Sequence, residues 1–128
     1  MAEMSNFLEN ALINATLRNT SYTSPAAVYL ALFLSDPTDA DSGTECSGSG
    51  YARQAITFGA PANGVTTNSA AIEYAQAGNA WGTITHIGIR DALTSGNLLY
   101  HSPLDASKTI ATGDVFRVAV GSLSVTLT

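Results

Sequence analysis

Four acids crowd one stretch of the chain: Asp36, Asp39, Asp41 and Glu45 all fall within residues 35–50. Carboxylates this close together are the raw material of a calcium site. An EF-hand-type loop, however, needs oxygen donors at alternate positions, a Gly at the sixth and a Glu at the twelfth. Counting from Asp39, Thr44 stands at the sixth position and Gly50 at the twelfth. The spacing fails, and the expectation is a solvated acidic loop without a metal. Cys46, paired with His86 or His101, has the residue types of a thiol nucleophile and its base. Yet Cys46 sits in a Gly/Ser-rich stretch with no basic neighbour and no helix N-terminus to lower its pKa. One Cys and two His at these spacings match no zinc motif. Gly48-Ser49-Gly50, followed by Tyr51, lacks the Lys of a phosphate-binding loop, and no Gly-x-Ser-x-Gly nucleophile elbow occurs. The chemistry-bearing residues therefore define no catalytic, cofactor or metal site, and the expectation is a protein that is not an enzyme.

What remains is recognition. Trp81 lies between a Gly78-Asn79-Ala80 turn and Gly82, where it either closes one end of a core or anchors a partner. His86 falls mid-strand, on the same side as Ile84, Gly88 and Arg90, and reads as a strand histidine or an interface group. Gly88 in the strand interior points to a bulge or to close approach by another chain. Ile13 and Leu17, four apart on a helix, lie opposite its apolar stripe and are free to meet a partner.

The elements that must position these residues follow from periodicity. Residues 5–18 read as a helix, with Met4, Phe7, Leu8, Ala11, Leu12 and Ala15 in one stripe and Asn6 and Glu9 as a capping box. Val28, Leu30, Leu32 and Leu34 alternate with Tyr29, Ala31 and Phe33, so this strand is apolar on both faces and belongs in the middle of a sheet. Short strands are expected near 51–58, 70–74, 83–90, 98–101, 115–120 and 122–127. In the last of these, Leu123, Val125 and Leu127 face inward. Such spacing predicts a mainly β fold, an antiparallel jelly-roll-like β-sandwich with one N-terminal helix, as a single domain over residues 1–128. The acidic loop at 35–50 exceeds the ~12–15 residues beyond which a loop is usually functional or mobile.

Composition narrows the partners. Charged residues make up 12% of the chain, about half the usual quarter, and Ser, Thr, Ala, Asn and Gly take their place. A polar but uncharged surface suits wet protein–protein contact better than electrostatic steering. The net charge of −5 and the scattering of Arg18, Arg53, Arg90, Lys108 and Arg117 exclude a surface built for nucleic-acid phosphates. No run approaches the ~20 apolar residues that span a bilayer, so no membrane partner is expected. The first residues lack the basic segment of a signal peptide, and synthesis in the cytoplasm is the expectation.

One family resemblance covers nearly the whole chain. Its markers are the apolar strand followed by Ser35-Asp36-Pro37, then Gly48-x-Gly50-Tyr51-Ala52-Arg53, then Trp81-Gly82-Thr83-Ile84-Thr85-His86-Ile87-Gly88-Ile89. Asp91-Ala92-x-Thr94-x-Gly96-Asn97-Leu98-Leu99, Pro103-Leu104 and Leu123-x-Val125-Thr126-Leu127 complete the pattern. In these the chain resembles small tailed-phage virion proteins, often labelled tail-fibre or minor structural proteins. It is also similar to cement proteins that reinforce the capsids of some cyanobacterial phages. The resemblance implies a β-sandwich without catalytic residues, in which Tyr51, Arg53, Trp81, His86, Asp91, Asn97 and Pro103 first define the fold. Small size, acidic charge and a shortage of charged side chains make a capsid-surface cement protein, bound to the major capsid protein where capsomers meet, the expected role. The resemblance together with the three-fold geometry of capsids implies a homotrimer. The alternative is a tail-fibre or tail-tip module that meets a host surface receptor. The expected partner surface comprises Ile13, Leu17, Asp39, Asp41, Trp81 and His86.

Overall fold

The computed structural model describes residues 2–127. In chain order the elements are β1 (Glu3–Met4), α1 (Asn6–Leu17), β2 (Val28–Phe33), β3 (Gln54–Ile56), β4 (Val65–Thr67), β5 (Ile72–Glu73), β6 (Gly82–Arg90), β7 (Leu98–Ile110), β8 (Arg117–Val118) and β9 (Ser124–Thr126). A five-stranded sheet runs β1-β7-β6-β2-β3, and two ribbons, β4-β9 and β5-β8, stand apart from it. Every pairing is antiparallel. The fold is thus mainly β with one N-terminal helix and is sandwich-like, its second layer built from two ribbons rather than one continuous sheet.

Directly opposed residues in an antiparallel pair share a face, so the register sorts the sheet into two. Leu30, Ile89, Tyr100 and Met4 form one row, and Leu32, Ile87 and Ser102 the next. On this face Leu30, Leu32 and Ile89 join Ile72, Phe116, Leu123 and Val125 from the ribbon side in the main core. Leu123 and Val125 are buried as their alternation requires, whereas Leu127 surfaces at the chain's far end. The other face carries the rows Tyr29–Arg90–Leu98, Ala31–Gly88–His101–Glu3 and Phe33–His86–Pro103. Here only Ala31, Phe33 and Leu98 form an apolar cluster. Strand β2 is therefore an interior strand covered on both sides, as its two apolar faces require.

A bulge divides β6. Ile84 pairs with Lys108 and His86 with Pro103, so the single residue Thr85 opposes the four residues 104–107. The slip reverses the alternation, since a one-residue shift moves side chains to the other face. Ile84, expected beside His86, instead drops into the main core, fully buried. The irregularities thus lie at Thr85 and next to Arg90, not at Gly88. Gly88 is required for a different reason. A Cβ there would come within 2.7 Å of both the Phe33 ring and Leu98, so the Phe33 ring, and not another chain, makes the close approach.

The helix begins one residue earlier in the chain than Asn6 capping implied. Ser5 is the N-cap and accepts a hydrogen bond from the Leu8 N–H at 3.2 Å. Its hydroxyl also donates to the Leu98 carbonyl, and its own N–H donates to Leu99 at 2.9 Å. One buried serine thus caps α1 and fastens it to β7. Of the predicted stripe only Leu8 is fully buried, and Phe7 is exposed.

Candidate partner-binding surface

The long loop is pinned at each acid. After β2 its return leg pairs with the strand it has just left: Leu34 N–H donates to Thr44 and Cys46 N–H to Leu32, both at 2.8 Å. Residues 44–46 therefore lie along β2 on the same edge as β3, farther along the strand. Asp41 receives both terminal nitrogens of Arg90 at 2.6 and 2.7 Å, a bidentate fork. Asp39 lies 2.7 Å from His101 Nε2. Asp36 caps the Thr38 N–H at 2.8 Å and stands 3.9 Å from His86. Glu45 accepts from Arg53 at 2.7 and 2.8 Å and from the Tyr51 hydroxyl at 2.7 Å. The four carboxylates point to four separate partners and enclose no common cage. The freely solvated loop expected from composition is replaced by one bound to the polar face of the sheet.

Arg90 is buried, 8% exposed, with its guanidinium 5.6 Å above the centre of the Phe33 ring. Its remaining donor, Nε, has no hydrogen-bond partner and faces Glu45 across 4.0 Å. Arg53 ties the loop to the turn between β6 and β7 by donating to the carbonyls of Ala92 and Ser95 at 2.8 and 2.7 Å. That turn is closed by the Asp91 carboxylate, which receives the Asn97 N–H at 2.7 Å. Burial alone would raise the Glu45 pKa. Hydrogen bonds from Arg53 and Tyr51, with the charges of Arg53 and Arg90, reverse this and hold it below the ordinary carboxylate value. Burial, followed by the bond to Glu45, drives the Tyr51 hydroxyl far above its usual range.

Cys46 and the two histidines are kept apart by the sheet. Cys46 packs in the main core with Leu32, whereas His86 and His101 lie in register with Phe33 and Gly88 on the opposite face. Burial raises the thiol pKa, the reverse of what a nucleophile requires.

Trp81 is 4% exposed and cannot present its indole to a partner. It meets Tyr51 edge-on at 5.5 Å and Tyr74 at 6.2 Å, and it donates from Nε1 to the Ser49 carbonyl at 2.9 Å. The Gly48-Ser49-Gly50 segment is the cradle for this ring. A Cβ on Gly48 would lie 2.1 Å from the indole, and Gly50 holds φ at +86°. Tyr22, in the loop after α1, is half-buried.

Ile13 and Leu17, by contrast, are 52% and 78% exposed, and Phe7 is exposed on another side of the helix. Around them the helix offers Asn6, Asn10 and Thr16, all uncharged and exposed. The helix N-terminus touches the loop, where the Asn6 N–H donates to the Asp39 carbonyl at 2.8 Å. Of the residues expected at an interface, Ile13 and Leu17 are fully available, Asp39 and Asp41 are partly spent on internal pairs, His86 is mostly covered, and Trp81 is withdrawn. Sequence reasoning missed Phe7, counted with the buried stripe, and other exposed apolar side chains, such as Val65, Val115 and Val120 at and beside the ribbons. Among the described residues no helix is long and apolar enough to cross a membrane.

A mainly β domain with a polar-clasped sheet, a fixed aromatic core and an uncharged apolar helix face has the build of a structural module. The chain matches the family described as podophage GP4 fiber I protein gp80 over residues 3–126, and it belongs to that family. It is a phage virion structural protein of the tail-fibre-like kind. A search of curated proteins finds no match.

Proposed function

We propose that this domain is a non-enzymatic module of a phage tail fibre, which contributes to host adsorption by presenting the outer side of α1. The family match over residues 3–126 carries the reading, since the family is described by a fibre protein. The surface agrees with it. Ile13 and Leu17, one turn apart, form an exposed apolar pair bordered by Asn10 and Thr16, the composition of a wet recognition patch. Among the aromatics Phe7 is exposed, Tyr22 is half-buried and Trp81 is buried, so Phe7 is the most open of the three to a receptor. Gold-labelled antibody against the protein, applied to purified virions, is expected to decorate the tail. Purified protein should also bind host cells, and binding should fall in Phe7→Ala.

A second reading is a capsid cement protein that forms a homotrimer on the major capsid protein. The low charge of the surface and the exposed Ile13 and Leu17 favour it, because weak apolar contacts repeated over three subunits add through avidity. This reading requires label on the head, a trimer in light scattering and no binding to host cells. Label confined to the tail would remove it, and label confined to the head would remove the fibre reading.

A further inference from the structure

We infer that Glu3, Asp39 and His101 form a site for a divalent transition-metal ion of the zinc class. His101 Nε2 lies 2.7 Å from Asp39 Oδ1 and 3.9 Å from Glu3 Oε2, and the three ligand atoms all fall within 4.8 Å of one another. Tetrahedral ligands at about 2.0–2.1 Å from an ion stand roughly 3.3 Å apart. These two distances straddle that value, and the third pair, Asp39 and Glu3, lies within 4.8 Å, so small side-chain movements bring the donors to an ion.

Each donor is delivered by backbone structure rather than by a flexible tail. Glu3 is the direct cross-strand partner of His101 in the β1–β7 pair. Asp39 is held at the helix N-terminus through its carbonyl, which accepts from Asn6. The imidazole is 5% exposed, whereas the Glu3 and Asp39 side chains are 71% and 46% exposed. One face of the site is thus fixed, and the other is open to water and to an entering ion. A simple His–Asp hydrogen bond explains Asp39 but leaves Glu3 unbalanced, since among the described residues it pairs with no Lys or Arg. The nearby Arg90 is committed to Asp41. Two carboxylates around one imidazole leave a net negative charge in either histidine protonation state, and a dication offsets it. The imidazole ligand favours zinc-like ions over calcium or magnesium, which prefer all-oxygen sites. On binding, the ion takes the place of the proton between Nε2 and Asp39, and the site would tie β1, the long loop and β7 together.

The test uses the full chain, dialysed against EDTA and titrated with zinc in a calorimeter, then with cobalt while visible absorbance is followed. The expected result is one ion per chain and a higher melting temperature with zinc. Affinity should fall at least about tenfold in both Glu3→Gln and Asp39→Asn, the scale that even an outer partner of a metal ligand commands. Both substitutions lie on exposed side chains, and circular dichroism checks that the fold is kept. His86→Asn, changed at the other histidine, should bind as the parent does. Absence of zinc binding, parental affinity in both carboxylate variants, or loss of binding in His86→Asn would each overturn the assignment.

Discussion

The two faces of the five-stranded sheet are built by different physics. The ribbon-side face packs Leu30, Leu32, Ile84 and Ile89 against Phe116, Leu123 and Val125, with Tyr51, Tyr74 and Trp81 interlocked beside them. The loop-side face has one small apolar cluster of Ala31, Phe33 and Leu98. Beyond it the closure depends on carboxylates of the loop set against Arg53, Arg90 and His101. Apolar burial scales with area and is indifferent to pH. Ion pairs in a partly buried setting depend on the protonation of each acid and on both partners being present. The ribbon side should therefore set how stable the domain is, and the loop side should set under which conditions the loop stays closed.

The largest expected effect comes from cutting the aromatic cluster. Trp81→Ala removes a buried indole that contacts two tyrosines and bonds Ser49, and it leaves Gly48 facing a void. A loss of about 3–5 kcal/mol is expected, as for other large aromatic truncations in cores. Urea unfolding measures it directly. A loss below about 1 kcal/mol would show that this face is not the main store of stability.

Next in size is the loop side. Glu45→Gln keeps the shape but takes away the charge that Arg53 and Arg90 face, and a cost of about 2 kcal/mol at neutral pH is expected for this partly exposed network. Its pH dependence sharpens the contrast. Because the folded protein holds Glu45 below its ordinary value, the carboxylate's contribution is complete above the unfolded pKa. It is lost as pH falls from the ordinary carboxylate range through the lowered one. Melting curves of the parent and Glu45→Gln should converge as pH drops through that window. Trp81→Ala should keep a constant deficit there. A gap between parent and Glu45→Gln that persists at low pH would show that packing, not charge, gives Glu45 its weight.

The same contrast explains what could be read from the chain and what could not. Period-2 alternation placed β2 inside the sheet, where it lies second from the edge beside the middle strand β6, and turned Leu123 and Val125 inward, because apolar burial leaves a local pattern. Helix α1 was legible to within a residue at each end, but its cap was taken as Asn6. Ser5 does the capping because it also binds β7, a tertiary reason that no spacing reveals. Strand β7 was expected to stop near His101, but it runs on through Pro103 to Ile110. The structure places Pro103 past the end of β1 and beside the four-residue bulge, the settings in which a strand tolerates proline. Strands β1 and β4, two and three residues long, are too short to show a period. The loop's acids looked solvated because their partners are remote in sequence: 49 residues separate Asp41 from Arg90, and 62 separate Asp39 from His101. Trp81 posed a choice between core and interface that only the cradle of Gly48 and Ser49 decides.

The smallest effect on stability should come from the surface that belongs to neither face. Ile13 is half exposed in mid-helix, away from the Ser5 cap and from the Asn6–Asp39 contact. Ile13→Asp is therefore expected to shift stability by no more than about 0.5 kcal/mol, the range of ordinary surface substitutions. Its effect on assembly or adsorption should be far larger. Covering an isoleucine is worth about 1.5–3 kcal/mol, so placing a charge there should weaken a contact through this helix by roughly tenfold or more. Measuring melting temperature beside virion incorporation and host-cell binding separates the two quantities. A fall in either interaction at unchanged stability would assign the outer side of α1 to that partner. Parental incorporation and parental cell binding together would take the helix out of the interface and direct attention to other exposed apolar side chains, such as Val65, Val115 and Val120 at and beside the ribbons.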